Sequence, residues 1–153
     1  MVVDAQVTIN GSKTAVWAAI TNIANAADII SGIKDIEVLD KPASGLVGLR
    51  WRETRMYFGK HASVEKWITE VDGNESYKTR AETDGFVFVT TMKISAGEGG
   101  IRLTSSHDSQ PQGIGAKLRS APMFLFKGVV KKAILQDLND IKTAVEQESS
   151  ITA

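Results

Sequence analysis

ESYKTRAETDGFVFVTTMKI (residues 75–94) is two extended runs joined by Asp84-Gly85. Each run is rich in β-branched and aromatic residues. A two-residue Asp-Gly link favours a type I′ turn, because both central positions need positive φ. The stretch therefore reads as a β-hairpin, and a sheet built outward from it is antiparallel.

Upstream, residues 47–58 (VGLRWRETRMYF) and 62–72 (ASVEKWITEVD) have the same character, separated by Gly59-Lys60 and followed by the turn Asp72-Gly73-Asn74. Downstream, Gly97-Glu98-Gly99-Gly100 makes another turn. Ile101, Leu103, Ser105 and His107 then alternate with Arg102, Thr104, Ser106 and Asp108 until Pro111. Near the N-terminus, Val3, Ala5, Val7 and Ile9 alternate with Asp4, Gln6 and Thr8, so residues 3–9 predict a first strand. Another, imperfectly patterned, runs from Ile33 to the break at Pro42-Ala43-Ser44-Gly45. The total is about seven strands.

Two short helices fit between the first and second strands. Asn10-Gly11-Ser12 supplies turn chemistry and an N-cap, and the first helix starts near Lys13 with Ala15, Val16, Ala19, Ile20 and Ile23 at helical spacing. The second carries Ala26, Ala27 and Ile30 and stops at Ser31-Gly32. At the other end, Phe126, Val130, Ile134, Leu138, Ile141 and Val145 recur every three or four residues, which predicts a long amphipathic C-terminal helix. Pro122 interrupts the approach to it, so Ile114–Arg119 is expected as a separate turn or a kinked first segment. The expected architecture is α+β, a curved antiparallel sheet wrapped around the last helix. It forms one domain over residues 1–147, with 148–153 as a frayed tail.

Eighteen basic residues balance eighteen acidic ones, so no global field draws nucleic acid or an anionic membrane. There is no cysteine, which excludes disulfides and thiolate chemistry and favours a reducing, cytoplasmic setting. No apolar run spans a bilayer, and Asp4 and Gln6 break up any signal peptide. No glycine-rich phosphate loop or paired-histidine metal motif occurs, so no cofactor and no metal are expected. A homodimer is compatible with this composition.

The entry into the first helix (Ile9-Asn10-Gly11-Ser12-Lys13-Thr14-Ala15-Val16-Trp17), the segment Gly48-Leu49-Arg50-Trp51, the segment Gly99-Gly100-Ile101-Arg102-Leu103-Thr104 and the long last helix carry a resemblance. Over residues 2–147 the chain resembles the START-like (SRPBCC, helix-grip) superfamily, and within it the polyketide cyclase/dehydrase and lipid-transport-like family. Family members commonly have proline after the first strand, where this chain has Asn10-Gly11-Ser12. The resemblance implies an elongated cavity between sheet and helix. In relatives it carries lipids, sterols, plant hormones or polyketides, and in some it catalyses cyclisation or dehydration. It implies no common catalytic set, so the site must be argued from this chain's own residues.

Large apolar residues at alternating strand positions or on the last helix are the pocket candidates: Trp51, Trp67, Tyr77, Phe86, Phe88, Met92, Leu103, Met123, Phe124, Phe126 and Val130, with His107 beside them. Met123, Phe124 and His107 mark the expected mouth. His107, Tyr77 and Glu53 are the acid/base types available for catalysis. Ser106-His107-Asp108 is no triad, because consecutive strand residues point to opposite faces. Arg50, Arg52, Glu53 and Arg55, with Glu65, Lys66 and Glu70, are expected chiefly as cross-strand ion pairs on a solvated face, with an arginine ligand anchor as the rarer use. Lys127, Lys131 and Lys132 read as a solvated helix surface. The leading expectation is binding of a small hydrophobic or amphipathic molecule. The alternatives are a cofactor-free cyclase/dehydrase and a protein-interaction module.

Overall fold

The computed structural model describes residues 1–57, 59–115 and 123–152, without the side chains of 123, 124 and 149–152. Seven strands form one antiparallel sheet: β1 (Val2–Ile9), β2 (Ile33–Asp40), β3 (Arg50–Tyr57), β4 (Lys60–Asp72), β5 (Ser76–Thr83), β6 (Phe86–Gly97) and β7 (Gly100–Pro111). Their spatial order is β1-β7-β6-β5-β4-β3-β2. A sequential meander is thus closed at one edge by the first strand. Helices α1 (Lys13–Thr21) and α2 (Ala26–Ile29) lie between β1 and β2, and α3 (Lys127–Thr152) ends the chain. This is the helix-grip arrangement expected from the sequence.

Local chemistry accounts for the boundaries. The Ser12 hydroxyl accepts from the Ala15 amide at 3.0 Å and caps α1. Asp84 and Gly85 both adopt positive φ, 51° and 78°, as the type I′ turn requires. The strand expected from residue 47 begins instead at Arg50, because Leu49 N–H bonds back to Leu46 O at 3.0 Å with Gly48 at φ 93°. The irregular pattern of β2 has a cause in its pairing. Its register against β3 shifts between Ile33 and Asp35 and again between Val38 and Asp40, and each shift resets which side chains face inward. Helix α3 is preceded by a 3-10 turn over Met123–Phe126 and continues beyond Gln147 to Thr152. The separate turn expected over Ile114–Arg119 and the break at Pro122 fall mainly outside the described residues.

The core lies between the concave face of the sheet and α3. Val3, Ile9, Ile68, Ile94 and Leu103 from the strands meet Ile134, Leu138, Ile141 and Val145 from the helix. Polar ties fix the helix over this face. Ser31 donates from N–H and hydroxyl to Asp140 at 2.9 and 2.8 Å, Glu146 accepts from the Asn10 amide at 3.1 Å, and the Lys142 ammonium donates to the Thr8 carbonyl. Among the described residues no helix is long and apolar enough to cross a membrane.

Candidate functional site

Strand β3 alternates RWRET, and that alternation builds the site. Arg50 and Arg52 point to the outer face, where they pair with Glu65 and Glu37 of the neighbouring strands. Trp51, Glu53 and Arg55 have the other parity and point inward. The solvated ion-pair face expected for this whole cluster is therefore only half right. Arg50, Arg52, Glu65 and Glu70 make such pairs, whereas Glu53, Arg55 and Lys66 line a cavity of about 120 Å³.

Glu53 is 7% exposed and sits at the centre of a charged network. Its Oε2 accepts from Arg55 Nε at 2.7 Å and Lys66 Nζ at 2.9 Å, and its Oε1 accepts from the Trp51 indole at 3.4 Å. Arg55 reaches onward with both terminal nitrogens to the Asp137 carboxylate of α3, at 3.1 and 2.8 Å. This bidentate bridge ties sheet to helix across the cavity. Gly32 makes room for it: a Cβ there would lie 3.0 Å from the Arg55 Nη1. Burial pushes the Glu53 carboxyl up, but the adjacent Lys66 and Arg55 charges outweigh that and bring it down to about 2. Two cations and two carboxylates leave the network electrically balanced.

His107 lies on the same face of β7. Burial pushes its imidazole down, and the Lys66 and Arg55 cations push it further, to about 4. The ring is therefore neutral near pH 7. Among the described residues its one hydrogen-bond partner is the Thr90 hydroxyl, 3.3 Å from Nδ1. The Tyr77 hydroxyl donates to the Ile20 carbonyl at 2.8 Å and so fastens α1 to the sheet. Burial holds this phenol well above its ordinary range. Of the three acid/base types noted in the sequence, Glu53 and Tyr77 are committed to structural partners, and His107 is a neutral ring facing the cavity.

Opposite these polar groups the cavity is apolar, lined by Ile23, Ile29 and Ile30 of the α1–α2 region, Met92 of β6, and Ile134 and Leu138 of α3. A second cavity of about 250 Å³ lies further along the concave face, against Tyr57, Val64, Ala81 and Phe88.

The structure brings Trp51, Tyr77, Met92 and His107 together in the first cavity and places Phe88 in the second, with Phe86 stacked on it at 5.9 Å between centroids. Leu103 is fully buried in the core beside the site, and Val130 packs against that core. Trp67 is on the outer face, where Arg50 lies 4.3 Å over its ring. Phe126 is half exposed and lines neither cavity. The side chains of Met123 and Phe124 fall outside the described residues. Arg55 and Lys66 are expected from sequence chiefly as solvated ion-pair partners, and Asp137 is not among the site candidates. The β3 parity was a usable signal for Arg55, whereas Asp137 required knowing how α3 is rotated over the sheet.

A family model described as polyketide cyclase / dehydrase and lipid transport matches residues 1–146. The chain belongs to this family. Among solved structures it is similar to the Zhui aromatase/cyclase from Streptomyces sp. R1128, with a TM-score of 0.80, 16% identity, and coverage of 97% of this chain and 95% of that one. Ara h 8.0201 has a TM-score of 0.71 at 18% identity, covering 95% and 97% of the two chains. For the di-domain ARO/CYC StfQ from the steffimycin biosynthetic pathway the TM-score is 0.76 at 9% identity, over 98% of this chain and 52% of that one. This family member thus spans about half of the di-domain chain. These likenesses establish the shared fold. A direct sequence comparison with curated proteins returns no match.

Proposed function

We propose that this protein binds a small, uncharged amphipathic molecule between the sheet and α3. The observation that carries the reading is a cavity whose apolar wall of isoleucines faces a charge-balanced polar wall of Glu53, Arg55, Lys66 and Asp137. Hydrocarbon burial, at roughly 25 cal/mol per Å², supplies the affinity, and the polar wall orients the ligand. With every formal charge already matched, a ligand carboxylate would lose its hydration without gaining an unpaired cation. The lack of cysteine agrees with action in a reducing compartment such as the cytoplasm. Native mass spectrometry of the protein incubated with octanol or octanoate tests this. Retention of octanol over octanoate is expected, and no adduct with either would overturn the reading.

A second reading, a cofactor-free enzyme of cyclase or dehydrase type, is favoured by the neutral His107 facing the cavity beside two cations. His107 would accept a proton from the carbon next to a ligand carbonyl. The resulting enolate carbon would attack a second carbonyl, and the alkoxide so formed would take the proton back before water is lost. Deuterium from solvent entering the methyl group of acetophenone, at a rate abolished in His107→Ala, is the expected result. Equal exchange in both proteins would exclude it.

A further inference from the structure

The concave face of the sheet is layered, and the layers follow from strand register. Across β5, β6 and β7 the rung Thr79, Thr90 and His107 is polar, with Thr79 paired to Thr90 and Thr90 to His107. One rung toward α1 lie Tyr77 and Met92, and one rung the other way lie Ala81 and Phe88. Alternate residues on a strand are about 7 Å apart, so the polar band is flanked at that distance by Tyr77 and Met92 on one side and by Ala81 and Phe88 on the other, each rung ending in a serine on β7, Ser105 and Ser109. On β4 the residue paired with Thr79 is Ile68, and Lys66, two positions along the same face, borders the band. These four residues, Lys66, Thr79, Thr90 and His107, are the ones common to both cavities. The two cavities therefore adjoin at this band, one bounded beyond it by isoleucines, Met92 and the Glu53–Arg55–Asp137 network, the other by Tyr57, Val64, Ala81, Thr83 and Phe88.

We infer that the ligand is two-armed: two apolar arms, at least one of them aromatic, joined through an uncharged hydrogen-bond acceptor such as a ketone, ester or ether that rests on the polar band. The inference rests on the proposed ligand binding and specifies its chemistry. The band is rich in donors, namely the Lys66 ammonium and two threonine hydroxyls, so the group it meets accepts hydrogen bonds. It is uncharged because Lys66 is already matched by Glu53 at 2.9 Å. It is central because apolar space lies on both sides. A molecule with one apolar arm and its polar head on the band would fill only one of the two cavities. The aromatic arm belongs beside Phe88, whose ring is already stacked with Phe86.

Three probes separate the parts of this inference in the wild-type protein, with no variant needed. Benzophenone has two rings and a central carbonyl, acetophenone has one ring and the carbonyl, and diphenylmethane has two rings and no carbonyl. Titration calorimetry is expected to show benzophenone binding about tenfold or more tightly than either of the others. Hydrophobic burial alone predicts the opposite order for diphenylmethane, the more apolar molecule. Acetophenone binding as tightly as benzophenone would overturn the two arms, and diphenylmethane binding as tightly would overturn the central acceptor. Thr90→Val is expected to narrow the gap between benzophenone and diphenylmethane, and Ala81→Val to remove the advantage of benzophenone over acetophenone. Octanol retained while benzophenone gains nothing would sink this inference and leave ligand binding standing. Failure of all four compounds to bind would overturn both.

Discussion

Glu53 decides the character of the site. Its carboxylate holds Arg55 and Lys66 inside the fold, and both cations are partly desolvated, with side chains 18% and 25% exposed. Glu53→Ala should destabilise the protein by about 3 kcal/mol, since it strands buried positive charge, and urea denaturation checks this. His107 contributes a pH dependence of known sign. Its folded value of about 4 lies below the ordinary 6.5, so between these limits the unfolded chain binds a proton that the folded chain does not. Stability is therefore fully present above pH 6.5 and falls as pH drops toward about 4. The Glu53 contribution is present above 4.5 and disappears on the way to about 2. Urea midpoints between pH 7 and 4.5 should decline in the wild type and flatten in His107→Gln. The inward side chains of β3 were open to a parity argument: Trp51 and Glu53 differ by two positions, so an apolar tryptophan facing the core brings the acid with it. What sequence does not display is the compensation that makes such a buried acid tolerable, because Lys66 comes from another strand and Asp137 from another layer.

At the scale of elements, contacts between backbones set the tolerances. Gly100 opens β7 directly against β1, and a Cβ there would lie 2.3 Å from the Ile9 carbonyl oxygen. Gly100→Ala should force β1 and β7 apart at this end and lower the thermal midpoint by several degrees, as read by calorimetry. Gly97, in the same turn, has ordinary van der Waals space beside Arg102 and should accept alanine far better. The hairpin at Asp84-Gly85, the Ser12 cap and the α3 stripe were all legible, because each depends on chemistry within a few residues. The start of β3 was not. It depends on the turn closed by the Leu49 N–H bond to the Leu46 carbonyl and on how Gly48 and Leu49 then dock on Ile68 of β4, a partner in another strand. The two shifts of register in β2 are likewise set by its partner and not by its own pattern.

For the whole molecule, the helix couples the charged network to the core. Leu138 and Ile141 of α3 bound the cavity and also pack into the main apolar cluster. Leu138, 1% exposed, should lose about 2 to 5 kcal/mol on truncation to alanine, while the cavity it borders enlarges. Gain of affinity for a bulkier aryl ketone by an otherwise weakened protein would be the paired signature, measurable by calorimetry alongside urea unfolding. The overall fold was readable because its seven strands and one long helix each announce their period. The two cavities were not, because they arise from side chains of different strands meeting across a shared rung.

The closing of the sheet by β1 has a consequence for how the protein forms. Val3 pairs with His107, so β1 can dock only after β7, about a hundred residues later in the chain, has been made. Until then β7 offers an open edge. Such non-local pairing slows folding, and joining β1 is expected to be the late event of assembly. In pulse-labelling hydrogen exchange during refolding, amides of the β5–β6 hairpin should gain protection before those of Val2–Ile9. Simultaneous protection of both would instead mark a single concerted collapse.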